Sequence, residues 1–179
     1  TLANMQAVLA QNAYKETADP FTKDDIRIGT DNTKKAVRAY INNVGELILS
    51  HNQEGTKGIY VTALEALNNE NIADLQSLQK QGTLFKDLSE KLRTDIVSPS
   101  SLTEAHLRFV NSFSHFSDIA RMLANFDADP LTGIAALSQY QQESARSLEA
   151  LGAMVDSISA HNLAFSESEG GAVFVQYAQ

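Results

Sequence analysis

The stretch "SSLTEAHLRFVNSFSHFSDIARML", residues 100–123, settles what class of chain this is. Leu102, His106, Phe109, Phe113, Phe116, Ala120 and Leu123 recur at steps of four and three. Residues so spaced share one side of an α-helix, and a line kept this strictly is a seam packed on neighbouring helices. Ser100 or Ser101 offers an N-cap, and Glu104 follows Ser101 by three positions, as in a capping box. His106 lies on the seam, where an imidazole is expected as a packed side chain with one hydrogen-bond partner.

A second pattern runs through the same helix. Ser112, His115 and Asp118 stand at steps of three between the phenylalanines, so they stack on one flank. They are the residue types of a nucleophilic triad, with the imidazole in the middle. A triad also needs an oxyanion hole and a nucleophile lifted on a sharp turn. No Gly-rich turn adjoins Ser112, and no G-x-S-x-G occurs. The three are therefore expected to form an ordinary hydrogen-bonded helix surface, with Ser112→Ala nearly neutral.

The same periodicity extends outward. Leu2, Met5, Val8 and Leu9 mark a short amphipathic helix that Asp19-Pro20 stops. Ile26 and Ile28 alternate with charged residues, as in a very short strand. Thr30, Asp31 or Asn32 is expected to cap a helix to about Asn52, with Val37, Tyr40, Ile41, Val44, Leu47 and Ile48 inward. Further helical stretches start near Lys57 and, after the "NNEN" break at 68–71, carry Leu75 to Ile96 until Ser98-Pro99 ends them. Gly82 marks a close helix contact or a bend. After "DADPL", Asp127 or Asp129 caps the last helix, with Pro130 in its first turn. It is expected to run over 131–165, with its line through Ile134, Leu137, Gln141, Ser144, Leu148, Leu151, Val155 and Ile158. The polar pair Gln141 and Ser144 predicts a weakly packed or partner-facing middle. "SESEGG" reads as a flexible break, and "AVFVQYAQ" as an ordered, β-prone tail.

Composition bounds the function. In 179 residues, 14 Lys and Arg against 22 Asp and Glu give a net charge of -8. Only Lys34, Lys35 and Arg38 cluster, so no nucleic-acid partner is expected. The absence of cysteine excludes disulfides, thiolate zinc sites and cysteine nucleophiles. No Glu-x-x-His or H-E-x-x-H occurs, so neither a di-iron bundle nor a zincin is indicated. His51 and His161 lie near helix ends, where an imidazolium complements the dipole. "SLQK" at 77–80 matches S-x-x-K by chance, since its companion motifs are missing. "DADPLTG" lacks the spacing of a calcium loop. Catalytic, cofactor and metal residues are accordingly expected to be none.

Taken together, "DIRIGTDNTKKAVRAYINNVGEL", "HLRFVNSFSHFSDIARML" and "DPLTGIAALSQYQQ" resemble uncharacterised helical proteins of ultrasmall candidate-phylum bacteria. Those proteins carry an N-terminal membrane segment ahead of a helical domain. The resemblance implies a bacterial, extracytoplasmic, membrane-tethered all-α domain, with the tether placed before Thr1.

The expected architecture is all-α, an antiparallel bundle of four or more long helices over residues 1–165, followed by an extended tail, 166–179. Residues 172–177 are expected either to pair with 25–28 as a tiny β-ribbon, or to add to a strand of a neighbouring subunit, or to lie irregularly in a groove of the bundle. The expected function is a non-enzymatic structural or protein-interaction bundle, with self-association through 172–177, in a cell-surface assembly. The alternative is a ligand- or metal-binding bundle in which His106 and the Gln141–Ser144 stretch face a cavity.

Overall fold

The structure, a computed structural model, describes residues 18–52, 57–69 and 72–176, without the side chains of 66–69 and 72–74. The expected helix at the N-terminus lies outside them. The fold is an all-α helical bundle. Its helices are α1 (Lys34–His51), α2 (Ile59–Asn69), α3 (Ile72–Asp95), α4 (Thr103–Ala124), α5 (Pro130–Ala160) and the short α6 (Ala172–Val175). Strands β1 (Arg27–Gly29) and β2 (Val97–Pro99) complete it.

Helix α4 is the axis. It packs on α3 along one side and on α5 along the other. Its seam is legible in the burial of Leu102, His106, Phe109, Phe116, Ala120 and Leu123. Phe113 touches both of two apolar clusters, one around α1, α4 and α6 and one around α2, α3 and the distal half of α4. Its ring stacks on Phe85 at 5.9 Å and on Phe109 at 6.1 Å. Gly82 allows close approach of α3 and α4: a Cβ there would lie 3.0 Å from the Ser117 carbonyl oxygen.

Helix ends follow local chemistry, with corrections. Thr33, not Thr30, Asp31 or Asn32, caps α1 by accepting from the Ala36 N–H. Asp31 accepts instead from the Thr33 N–H at 2.8 Å. Ser100 and Ser101 belong to a 3-10 turn ahead of α4, whose first turn has no side-chain cap. Glu104 pairs with Lys23 rather than closing a capping box. Asp129 caps α5 and Pro130 begins it, as expected. Helix α5 stops at Ala160 rather than 165, because Asn162 adopts the left-handed conformation and Leu163 N–H bonds back to Ile158.

The β-ribbon expected between 25–28 and 172–177 does not form. β1 pairs in parallel with β2, Ile28 opposite Ser98. Residues 172–175 are helical, and Phe174 inserts into the core beside Phe109. A side chain that finds a dry pocket on its own bundle gains burial without an edge strand. Nor is "SESEGG" a loose break. Arg38 bonds Glu169 at 2.6 Å and stacks on Phe165, and the Gly171 N–H donates to Asn42. Gly45 and Gly170 bring backbone onto backbone: a Cβ on Gly45 would lie 2.0 Å from the Gly170 carbonyl oxygen.

Phe113→Ala should lower the unfolding free energy by roughly 3 kcal/mol in a denaturant titration, since it loosens both clusters at once. Gly45→Ala should cost about 1–3 kcal/mol and speed amide exchange at residues 170–175, while α3 and α4 stay protected.

Candidate functional site

The polar flank of α4 is not a surface. Ser112 and His115 are buried, 2% and 4% exposed, and of the expected trio only Asp118 faces solvent, where it pairs with Arg121 at 3.4 Å. Helix α4, packed on α3 and α5, is exposed at Glu104, Arg108, Asp118 and Arg121 but covered at Ser112 and His115. Its covered polar groups must find partners in the protein.

The partner is Glu143 of α5, itself only 3% exposed. The Ser112 hydroxyl donates to Glu143 Oε1 at 2.6 Å, and His115 Nδ1 donates to Oε2 at 2.8 Å. Arg146 Nη1 approaches the same carboxylate at 3.6 Å and Asp19 at 3.2 Å. His115 Nε2 is buried without a hydrogen-bond partner among the described residues, and faces Asp19 at 3.9 Å. The neighbouring Asn111 clamps the backbone of Phe21, accepting from its N–H and donating to its carbonyl. Asp19, Asn111, Ser112, Glu143 and Arg146 line a cavity of about 330 Å³ between α4 and α5.

Glu143 sits where the expected line of α5 did not run. That line followed Ile134, Leu137 and Leu148, but Leu148 is 61% exposed and Gln141 faces solvent. The buried line is turned by one residue over most of its length, through Gly133, Ala136, Glu143, Ala150, Met154 and Ser157, and meets the expected line at Ile158. Small residues mark it where neighbours come close; at Gly133 that neighbour is Phe126 of the turn after α4, whose ring a Cβ would meet at 2.1 Å.

Charge is arranged so that both partners ionise. Burial works against the His115 imidazolium, but the hydrogen bond and charge of Glu143, with the charge of Asp19, outweigh it and raise its pKa. Burial likewise works against the Glu143 carboxylate, yet the bonds from His115 and Ser112 prevail and lower its pKa.

Chemically this is a carboxylate hub, not a relay. A serine nucleophile needs its proton taken by an imidazole that an acid orients. Here serine and histidine both donate to one carboxylate, and Ser112 lies in mid-helix. A hydrogen bond to a charged group is worth about 1.5–3 kcal/mol, so Ser112 is not the neutral position the sequence pattern implied.

His106 behaves as expected. It is fully buried, and Nδ1 meets the Tyr40 hydroxyl at 3.0 Å. Burial pushes its pKa down to about 4, partly offset by the Leu92 carbonyl, so the ring is neutral and accepts from Tyr40. It does not share a cavity with the Gln141–Ser144 stretch; that stretch reaches a cavity through Glu143, opposite Ser112. No group of three His, Cys, Asp or Glu among the described residues is placed to hold a metal. A second cavity, about 210 Å³, is lined by Ile48, His51, Gln81, Phe85, Leu88 and Phe113. Both His51 nitrogens there are engaged, by the Leu47 carbonyl and by Asp87.

No family model matches the chain, and no curated protein or solved structure matches it either.

The hub sets a pH dependence. Because the folded pKa of Glu143 lies below its ordinary 4.5, its contribution is present above that value and lost as pH falls through the folded one. Denaturant titrations should show stability falling with acid below about pH 4.5. In Glu143→Gln that fall should be shallower, the remaining slope coming from other carboxylates.

Proposed function

We propose that the chain is a non-enzymatic helical interaction domain whose contact surface is the outer side of α2. The observation behind this is a helix that is apolar on both sides. Ile59 and Ala63 are buried in the cluster with α3 and α4, yet Val61 and Leu64 on the opposite side are 47% and 38% exposed, and Tyr60, stacked on Tyr140 at 5.9 Å, is still 38% exposed. Glu65 is the only charged residue between Ile59 and Asn69. A helix needing only one dry side would carry charges on the other.

Self-association is the proposed use, since one stripe can meet its own copy across a two-fold axis. The tail is a less apt contact than its sequence implied, because Phe174 already fills its own core. The net charge of -8 without a basic stripe supports a partner other than nucleic acid. The extracytoplasmic, membrane-tethered setting rests on the sequence resemblance; no helix among the described residues is long and apolar enough to cross a membrane. The second reading, ligand binding, draws its support from the cavity over Glu143.

Sedimentation velocity across a range of concentrations tests the first reading. The wild-type chain should gain mass with concentration, and the double variant Val61→Lys, Leu64→Lys should stay monomeric with an unchanged helical spectrum. A wild-type chain that remains monomeric throughout, or a variant that associates equally well, contradicts it.

A further inference from the structure

We propose that residues 18–21 form a proton-controlled strap, its N-terminal end held over the cavity between α4 and α5 by the charge balance around His115. The other end of the strap is pinned without titrating groups. Phe21 is bonded through both backbone groups to Asn111, at 3.0 and 3.1 Å, and its ring lies under the Arg93 guanidinium. Among the described residues the near end is held by Asp19, at 3.2 Å from Arg146 and 3.9 Å from His115 Nε2, with the Ala18 backbone also turned to His115.

Among the described residues, the charged groups facing His115 are Glu143 and Arg146 from α5 and Asp19 from the strap. On its own helix, Asp118 is exposed and paired with Arg121. With His115 protonated, imidazolium and guanidinium stand against two carboxylates, and the cluster is balanced. With His115 neutral, Arg146 is shared between the two carboxylates. They are not equal competitors. Glu143 is 4% exposed at its side chain, whereas Asp19 is 43% exposed. A buried unpaired charge costs far more than a solvated one. Arg146 therefore turns to Glu143, and Asp19 leaves.

Asp19 is a wall of the cavity, so its departure opens the space above Ser112 and Glu143. The raised pKa of His115 fixes the sign. Its contribution to the closed strap is complete below about pH 6.5 and lost as pH rises through the folded value. The device thus closes in acid and opens as pH rises beyond the ordinary histidine value.

Backbone ¹⁵N heteronuclear NOEs of the full chain, recorded from about pH 5.5 to 8.5, test this. The expected result is a loss of NOE at Ala18 and Asp19 as pH rises, following the His115 ring titration, with Phe21 unchanged. Asp19→Asn should show the low value at every pH, and it keeps Ser112, His115 and Glu143 themselves unchanged. Ala18 and Asp19 values that do not vary with pH in the wild-type chain overturn the proposal. So does a pH dependence that survives in Asp19→Asn, or one that Phe21 shares.

Discussion

Where a helix is covered by its neighbours it has no place to put polar groups except against other polar groups, and the covered part of α4 lives under that constraint. His106, Asn111, Ser112, His115 and Ser117 are all buried along it. Four of them draw in a partner from another element: Tyr40 of α1 for His106, the Phe21 backbone for Asn111, and Glu143 for Ser112 and His115, while Ser117 accepts from Arg121 of α4 itself. In the same way Ser89 of α3 reaches the Val110 carbonyl of α4 at 2.7 Å. An unmatched buried polar group costs about 1–3 kcal/mol, so these bonds reject alternative rotations of the surrounding helices more than they add net stability. Apolar packing supplies the driving force and the polar contacts choose the arrangement.

The ends of the chain obey the same logic. The segment before β1 and the segment after α5 both lie on the bundle through side-chain bonds to loop backbone. Asn111 holds Phe21, while Asn42 and Arg38 hold Gly171 and Ala164. Lys34 adds a bond to the Asn162 carbonyl at 2.9 Å. Each such tie replaces water at a backbone group that regular structure leaves unpaired. Phe174 and Phe21 then bring rings against surfaces that would otherwise be wet.

What the sequence made legible follows from side-chain size. The seam of α4 could be read because Phe109, Phe113 and Phe116 are large and stand at seam spacing. The seam of α5 could not, because close approach selects Gly133, Ala136 and Ala150, while the bulkier Ile134 and Leu137 flank it. Turning that helix by one residue hid Glu143 and left Ser112 and His115 looking like surface. A lone carboxylate in a long helix carries no signal until its partners are aligned across the interface; the small-residue stripe through Glu143 was the one available clue. β2 was hidden for another reason. A three-residue strand ending in Pro99 looks like a helix terminator, and its pairing with β1 is a tertiary fact. The tail was rightly expected to be ordered through Val175, but its apolar residues do not specify strand over helix when a core pocket for Phe174 is at hand.

The central claim is that Ser112 is a structural donor to the buried Glu143 carboxylate. A double-mutant cycle measured by urea unfolding tests it most directly. Ser112→Ala should cost about 1–3 kcal/mol in the wild-type background and under ~0.5 kcal/mol in a Glu143→Met background, where the carboxylate it serves is gone. The same cost in both backgrounds would mean that Ser112 and Glu143 act independently, and would contradict the account.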